Sequence, residues 1–406
     1  MSSSKLNIII DGHNHFHKSL YATGNYSKGR MLGSQKDKNM YMRKIAMDLA
    51  FLIRFFKTPD KIVFTVDDHS WRKFVSILEN DGYKANRTKD ENAVDWDAFA
   101  EVNQDFFDIL DKRNFVTSKI KGCEGDDLMY FWAKKLYEQG ENVIIFSGDG
   151  DISQLVEYND KNFVCVFNTK STLRQVIAAE GFNDWLDKKI NEHKDIVDIF
   201  MDSEFIPSSY EIVKKVILET HIIEVNAKDI LFEKIICGDS GDNVPSILTW
   251  QTEQKNKKII NNKLSPKKAE IIKEKILEKE KSIDINNLSK YSQIIIDSIK
   301  ELYKKNIEKG LIKKEYLDID LISEKLKRNT KLVKLDHNTI PINIQNLFDE
   351  HYIKFKNYGS PNLNKMDMQS ILEGSKYSEK ISIKSDIFSD ASPDNIKKDK
   401  PSKSLF

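Results

Sequence analysis

LNIIID (residues 6–11), KIVFTVDD (61–68) and NVIIFSGDGD (142–151) are the stretches that decide the fold of this chain. Each is a short run of apolar, mostly β-branched residues that ends at carboxylates, which is typical of a buried strand in a parallel sheet. Helix-like apolar spacing at 42–56, 99–110 and 124–137 alternates with such runs. This order predicts an α/β fold, with a mostly parallel central sheet flanked by helices. Because ligands bind beyond the carboxyl ends of the strands of an open sheet, we expect the acids to share one crevice.

The composition excludes several classes of protein. The 406 residues carry a net charge of +1, so any affinity for nucleic acid must come from local clusters such as KNKKIINNKLSPKK at 255–268. The three cysteines (Cys123, Cys165 and Cys237) form no CxxC pair, which argues against a zinc site or a disulfide framework. No segment approaches the length of a membrane span, and the polar start MSSSK lacks the apolar region of a signal peptide. We therefore expect an intracellular, cytoplasmic protein without membrane contact.

The pattern along the chain predicts four segments. Residues 1–175 form the α/β core, with a polar, basic excursion at about 70–97. Residues 176–228 show helical apolar spacing and predict a helical insertion. Residues 229–358 are lysine-rich and helical in pattern, and residues 359–406 have the composition of a disordered tail.

Two further acidic clusters join those at the strand ends: EGDD at 124–127 and GDSGD at 238–242. Each cluster has an ordinary explanation. Acids in the first turn of a helix complement the helix dipole, and Asp-Gly sequences are common in turns. Carboxylates that are brought together raise each other's pKa and repel, so a shared crevice would require cations.

The motifs DGHN (11–14), VDD (66–68), YKANR (83–87), EGDD (124–127), GDGD (148–151) and GDSGDNVP (238–245), in this order, resemble the structure-specific 5′ nuclease family. That family includes flap endonucleases and phage 5′→3′ exonucleases, and the similarity is greatest to the RNase H of T-even bacteriophages. The resemblance extends from about residue 7 to residue 245. It implies a PIN-like nuclease core, a helical arch at about 70–97 and a helical DNA-binding region after residue 229.

The resemblance also implies roles for the acids. Asp11, Asp67, Glu124 and Asp126 match the ligands of the metal nearest the chemistry. The second metal set is Asp127, Asp149, Asp151, Asp239 and Asp242. The implied cofactors are two Mg²⁺ ions, for which Mn²⁺ can substitute, and oxygen-only sites of this kind suit magnesium. Asp68 and the alternating His13, His15 and His17 are expected to have structural roles.

Basic residues supply the remaining parts of the implied site. Lys84 and Arg87 match the catalytic cations that face the scissile phosphate. Tyr83 either stacks on a base or packs in the core. The predicted DNA-binding set is Arg72, Lys73, Tyr83, Lys257, Lys258, Lys267 and Lys268. The glycine-rich hairpin with which the family binds K⁺ is missing after Pro245, so a K⁺ site stays open, although Ser265 and Pro266 predict a helix start.

The leading hypothesis is therefore a metal-dependent 5′→3′ exonuclease and flap endonuclease that hydrolyses phosphodiesters in RNA–DNA hybrids, 5′-flap DNA and duplex DNA and removes RNA primers. The expected protein partners of this monomer are a single-strand DNA-binding protein and a sliding clamp, the latter through SKSLF at 402–406. One alternative is a catalytically silent DNA-binding scaffold with the same fold. Another is an aspartyl-phosphate phosphatase, but Asp11 is followed by Gly12 and His13 instead of the expected Asp-x-Asp.

Overall fold

A computed structural model describes residues 5–24, 27, 29–56, 60–77, 81–168, 175–197, 221–253, 257–356, 358 and 367–378. Its strands are β1 (Leu6–Asp11), β2 (Lys61–Val66), β3 (Val116–Lys119), β4 (Asn142–Ser147), β5 (Glu157–Tyr158), β6 (Phe163–Asn168), β7 (Gln175–Ala179), β8 (His221–Val225), β9 (Thr249–Glu253) and β10 (Ile259–Lys263). Its helices are α1 (Gly12–Gly24), α2 (Gln35–Phe55), α3 (Trp96–Lys112), α4 (Gly125–Glu138), α5 (Phe182–Val197), α6 (Ala227–Cys237), α7 (Pro266–Lys279), α8 (Ser292–Leu302), α9 (Lys304–Glu308), α10 (Ile319–Val333), α11 (Ile342–Phe355) and α12 (Met368–Leu372). Short 3₁₀ turns lie at Trp71–Phe74, Gly150–Leu155, Ile285–Tyr291 and Lys314–Leu317.

The central sheet confirms the predicted α/β class. Its strand order is β3-β2-β1-β4-β6-β7-β8, with β5 paired to β6. Strands β3, β2, β1, β4 and β6 run parallel, β7 is antiparallel to β6, and β8 is parallel to β7. Because β2, β1 and β4 are neighbours, the acids that follow them come to one edge of the sheet.

Both faces of the sheet are covered by helices. Strand β1 is buried along its whole length, as expected for a central strand. Ile8 and Ile10 face a core built with α1, α2, α3, α5 and α12, whereas Ile9 faces a second core that contains α4 and α11. Alternate residues of one strand therefore contribute to two cores.

The C-terminal region forms a third core of its own. Helices α6, α7, α8 and α10 pack together with Leu248 and Trp250, and Tyr83 and Ile77 join them from the stretch after β2. Residues 249–253 and 259–263, for which the sequence predicts helical structure, are the antiparallel strand pair β9 and β10, here called the β9–β10 hairpin. The predicted helix start is present, with Ser265 at the N-cap of α7 and Pro266 in its first turn.

Two other stretches differ from their sequence patterns. The stretch at 176–228 contains helix α5, but strands β7 and β8, which precede and follow α5 in the sequence, also extend the central sheet at one edge. Both strands have five residues, and β8 is largely exposed, so neither shows the long apolar run of a central strand. Within the predicted disordered tail, residues 367–378 are ordered: Ile371, Leu372 and Tyr377 are buried in the core beside α2 and α3. The predicted clamp-binding peptide at 402–406 lies outside the described residues.

In the part of the chain that the structure describes, no helix combines the length and the apolarity that crossing a bilayer requires.

Candidate active site

Asp11 lies at the carboxyl end of the central strand. Its carboxylate accepts hydrogen bonds from Ser147 Oγ at 2.6 Å and from the backbone N–H of Asn14 at 2.9 Å. The side chain is almost completely buried, and this burial raises the pKa of Asp11 to about 6, despite the two hydrogen bonds. The negative charges of Asp67 and Asp149 also contribute to this rise.

Asp67, at the end of β2, binds the start of helix α4. Its Oδ1 accepts a hydrogen bond from the backbone N–H of Gly125 at 2.5 Å. A Cβ at position 125 would lie 2.8 Å from that same oxygen, so a larger residue there would displace the Asp67 carboxylate from this position. The neighbouring Asp68 turns away and accepts hydrogen bonds from the N–H groups of Gly122 and His69, which agrees with a structural role.

Asp126 and Asp149 complete a cluster of four carboxylates with Asp11 and Asp67. Burial raises the pKa of Asp126 well above its ordinary value, and the charges of Asp149 and Asp11 raise it further. Asp149 accepts a hydrogen bond from the backbone N–H of Asp151, at the start of the 3₁₀ turn that follows β4. The fold thus brings the acids at the strand ends into one crevice, as expected from the sequence, and their negative charges repel.

Glu124 caps helix α4 and is neutralised by basic side chains. Its carboxylate accepts hydrogen bonds from Arg72 Nη1 at 3.0 Å and from Lys84 Nζ, and Tyr83 OH lies 3.2 Å from Oε2. Burial alone would raise the pKa of Glu124, but Lys84 and Arg72 outweigh it and lower the pKa to about 2.

The YKANR motif is docked on the GDSGDN motif, although about 155 residues separate the two. Tyr83 OH donates to Asp242 Oδ2 at 2.7 Å, Arg87 Nη2 donates to Asp242 Oδ1 at 2.6 Å, and the N–H of Lys84 donates to the carbonyl of Asp242 at 2.9 Å. Asn243 Nδ2 donates to the carbonyl of Gly82 at 2.7 Å, and Asn86 Nδ2 donates to the carbonyl of Ser240 at 3.0 Å. We name residues 82–87 the docked turn and residues 238–243 the acidic loop.

The docked turn carries its cations to the acid cluster. Lys84 has a left-handed backbone with φ of 56°, and its ammonium lies between Glu124 and Asp242. Burial alone would lower the pKa of Lys84, but these two carboxylates outweigh it and hold the pKa above its ordinary value. Tyr83 is buried, and its hydroxyl donates to Asp242 and lies beside Glu124, so the side chain serves core packing in this structure and does not stack outward.

Lys234, which sequence reasoning missed, joins two of the predicted metal ligands. Its ammonium pairs with Asp151 and, at 2.6 Å, with Asp239 Oδ2. Burial alone would raise the pKa of Asp239, but Lys234 outweighs it and holds the pKa below its ordinary value. A lysine four residues before Gly-Asp in a helical stretch carries no signal of this contact in the sequence.

Two predicted site residues lie in other surroundings than expected. Arg72, predicted to bind DNA, is 1% exposed and cannot reach a solvent-borne ligand. Asp127, predicted as a metal ligand, is fully buried, and both of its oxygens accept hydrogen bonds from Arg72 at 2.7–2.9 Å. The physical reason is helix geometry: successive residues point about 100° apart, so Asp127 faces inward when Asp126 faces the crevice. The other predicted DNA-binding lysines lie at the surface: Lys73, Lys257, Lys258 and Lys267 are exposed, and Lys268 is half-buried.

A groove lies beside the acidic loop. It has a volume of about 1060 Å³, and it is lined mainly by polar and basic side chains of the acidic loop, the β9–β10 hairpin and the segment at 310–325. Asn243, Asn262 and Lys263 are among them. Amide and ammonium groups of this kind suit an anionic or hydrogen-bonding ligand.

The acid cluster fits divalent cations in donor chemistry and in charge. Its donors are carboxylate oxygens, which Mg²⁺ prefers, and its buried carboxylates raise each other's pKa as uncompensated charges do. Within the described ranges, however, no three His, Cys, Asp or Glu side chains are placed to hold an ion as they stand. Ion pairs with Lys84 and Lys234 occupy Glu124, Asp151 and Asp239 instead.

Comparisons with known proteins agree with this fold and this motif order. Residues 6–198 match the model of the 5′-3′ exonuclease N-terminal, resolvase-like domain. The 5′-3′ exonuclease of Buchnera aphidicola subsp. Acyrthosiphon pisum is 28% identical over 222 residues, which are 54% of this chain and 69% of that protein. Ribonuclease H of Enterobacteria phage T4 is 29% identical over 128 residues, 30% of this chain and 41% of that protein.

The solved structures show the same architecture. The flap endonuclease D15 of bacteriophage T5, solved with DNA and metal ions, superposes with a TM-score of 0.50 at 19% identity, over 87% of this chain and 99% of that one. The likeness at this identity concerns the fold. Taken with the sequence matches, residues 6–198 of this chain are similar to the 5′-3′ exonuclease N-terminal, resolvase-like domain, and the chain shares the fold of the T5 flap endonuclease.

Proposed function

We propose that this chain is a metal-dependent 5′→3′ nuclease that hydrolyses phosphodiesters in RNA–DNA hybrids and in 5′-flap or duplex DNA, and that it removes RNA primers during lagging-strand replication. The carrying observation is the juxtaposition at one sheet edge: Asp11, Asp126 and Asp149 repel each other, and the docked turn holds Lys84 and Arg87 beside them. The carboxylates of such a site can bind metal cations, and its lysine and arginine can bind a phosphate.

The acids would hold two Mg²⁺ ions. The proposed direct ligands are Asp11, Asp67, Asp126 and Asp149, joined by Glu124 when Lys84 leaves it. Asp151, Asp239 and Asp242 would hold the second ion, directly or through water, once Lys234 and Arg87 exchange partners. When bound, the ions supply an activated water and stabilise the departing oxygen.

Lys84 and Arg87 would bind the scissile phosphate. Each is now paired with a carboxylate, and phosphate is a strong bidentate acceptor for the guanidinium of Arg87. A substrate phosphate that recruits these cations would free Glu124 and Asp242, so substrate binding and metal binding support each other. Ser147 Oγ and the N–H of Asn14 would keep Asp11 oriented.

The exposed lysines would hold the duplex part of the substrate. Lys257 and Lys258 directly precede strand β10, and Lys267 lies in the first turn of α7. The polar groove beside the acidic loop lies between this surface and the docked turn. Binding through lysines and phosphates should weaken steeply as salt concentration rises.

The proposal is tested with 5′-labelled substrates. We expect Mg²⁺-dependent cleavage of a 5′-flap duplex and of an RNA–DNA hybrid, with 5′-phosphate and 3′-hydroxyl products and no cleavage in excess EDTA. A 3′-flap duplex of the same sequence is the matched substrate, and its 3′ flap should not be released.

Two variants locate the activity. Asp126→Asn should abolish cleavage, whereas Asp68→Asn, at an acid bonded outside the cluster, should cleave like the wild type. DNA binding without cleavage of either 5′ substrate would establish the catalytically silent scaffold instead.

A further inference from the structure

Arg72 is the most completely bonded side chain beside the acid cluster. It lies in the 3₁₀ turn after β2, and its guanidinium donates to three residues, two at the start of α4 and one in α10. Nη1 donates to Glu124 Oε2 at 3.0 Å and to Asp127 Oδ2 at 2.9 Å, and Nη2 donates to Asp127 Oδ1 at 2.7 Å. Nε donates to the carbonyl of Leu332, in the last turn of α10, at 2.9 Å. The guanidinium also lies 4.5 Å from the ring centroid of Trp71.

Asp127 is the counterion of Arg72 and has no oxygen to spare for an ion. Its Oδ2 also accepts a hydrogen bond from Trp71 Nε1 at 2.9 Å, and the carboxylate is 0% exposed. The pair is neutral as a whole, so it changes the charge of the site little. It contributes geometry: the two N–H groups that bond to Asp127 fix the guanidinium in place, and a second hydrogen of Nη1 points away from Asp127.

That remaining donor is directed at Glu124. Glu124 Oε2 receives Arg72 Nη1, while Oε1 faces Lys84 and the acid cluster. The position of the Glu124 carboxylate is therefore set from behind by a side chain that is itself fixed by Asp127 and Leu332. Leu332 belongs to the C-terminal helices, and Gln154, next to the Asp149–Asp151 turn, bonds to the adjacent Val333 and Leu335.

We infer that Arg72 is a positioning residue: the buried Arg72–Asp127 pair, anchored on the last turn of α10, holds Glu124 in the orientation in which it binds metal. The inference rests on the proposed function, in which Glu124 is a metal ligand. It assigns Asp127 to the support of the site and makes the C-terminal helices part of that support. A planar guanidinium is needed because its donors point to three acceptors at once, which a single ammonium cannot do.

The test is a double-mutant cycle on metal binding in the full chain without substrate. Mn²⁺ dissociation constants are measured by electron paramagnetic resonance for the wild type, Arg72→Lys, Glu124→Gln and the double variant. Arg72→Lys keeps a cation beside Asp127 but loses the bonds to Glu124 and Leu332, and we expect binding to weaken about 10- to 100-fold, as for other supports of metal ligands. Because Arg72 acts through Glu124, the double variant should bind no more weakly than Glu124→Gln.

Two further variants separate position from folding. Arg72→Met with Asp127→Leu replaces the ion pair by apolar groups, an exchange that buried pairs often tolerate, and this protein should fold and bind Mn²⁺ as weakly as Arg72→Lys. The matched control is Arg113→Lys, an arginine that bonds to the carbonyls of Ile371 and Glu373 on the other face of the sheet, and it should bind Mn²⁺ like the wild type.

The outcomes distinguish the two proposals. Wild-type affinity in Arg72→Lys, or losses from Arg72→Lys and Glu124→Gln that multiply in the double variant, would overturn the positioning role alone. A wild-type protein that binds no Mn²⁺ and cleaves no 5′ substrate would overturn the proposed function, and the positioning role with it.

Discussion

Tyr83→Phe tests whether the docked turn is held by a charged hydrogen bond. The substitution removes one hydroxyl and leaves the buried ring in place, in the core of α6, α7, α8 and α10. The lost bond joins Tyr83 OH to Asp242 Oδ2 at 2.7 Å, and the same hydroxyl lies 3.2 Å from Glu124 Oε2. Burial and both carboxylates raise the pKa of Tyr83, so the hydroxyl keeps its proton and donates it.

The structure provides a magnitude and a matched control. A hydrogen bond to a charged acceptor contributes about 1.5–3 kcal/mol, and Tyr83→Phe should therefore lower the free energy of unfolding by about 2 kcal/mol. Tyr41 is equally buried and donates to the neutral Asn103 Oδ1 at 2.7 Å, so Tyr41→Phe should cost only about 1 kcal/mol. The ring stays in both variants, so the loss of packing is the same.

Urea unfolding near neutral pH in EDTA measures both variants, and cleavage of a 5′-flap duplex measures the consequence for the site. Because Tyr83 precedes Lys84 and its bond orients Asp242, Tyr83→Phe should also reduce cleavage, whereas Tyr41→Phe should not. A loss of stability in Tyr83→Phe that is no larger than in Tyr41→Phe, together with undiminished cleavage, would refute the docking argument.

Three other predictions follow from the same contacts. The pKa of Asp11 is raised from 3.8 to about 6 in the folded state, so ionisation of this buried carboxyl destabilises the metal-free protein increasingly as the pH rises through that range. Asp11→Asn should therefore be more stable than the wild type by up to about 3 kcal/mol above pH ~6 in EDTA, and equally stable near pH ~4. The same variant should be inactive in a cleavage assay. Lys84→Asn keeps a residue that accepts the left-handed backbone but removes the buried cation that pairs with Glu124 and Asp242, so the midpoint of thermal unfolding should fall, and cleavage should fall about 10²- to 10³-fold at a temperature where the variant is folded. Lys89→Asn should retain full activity and the wild-type midpoint. Leu372→Ala, at a buried residue of α12, should lower the free energy of unfolding measured in urea by about 3 kcal/mol without changing kcat. An unchanged free energy of unfolding would contradict the packing of α12 against the core.

The positions of the strand-end acids could be predicted because a parallel sheet leaves few alternatives. The runs before Asp11, Asp67 and Asp149 are buried strands in neighbouring positions, so their ends had to meet. The resemblance implied that Lys84 and Arg87 face the scissile phosphate beside the acids, and the docked turn pairs them with Glu124 and Asp242.

The orientation of individual side chains could not be predicted in the same way. Asp126 and Asp127 are adjacent and chemically alike, and only the packing of α4 directs one to the crevice and the other to Arg72. Glu124 and Asp127 do stand at the spacing of a capping box, a signal that favoured a structural role for Asp127. The contact of Lys234 with Asp151 and Asp239 depends on the approach of α6 to the turn after β4, which no local pattern encodes.

The central claim, that the acids at the sheet edge form a two-metal centre, is tested most directly by counting bound Mn²⁺ ions in the full chain. We predict two ions per wild-type chain, displaced by excess Mg²⁺, with fewer or weakly bound ions in Asp149→Asn and wild-type binding in Asp68→Asn. A wild-type chain that binds no ion, or an Asp149→Asn chain that binds two ions as tightly as the wild type, would contradict the account.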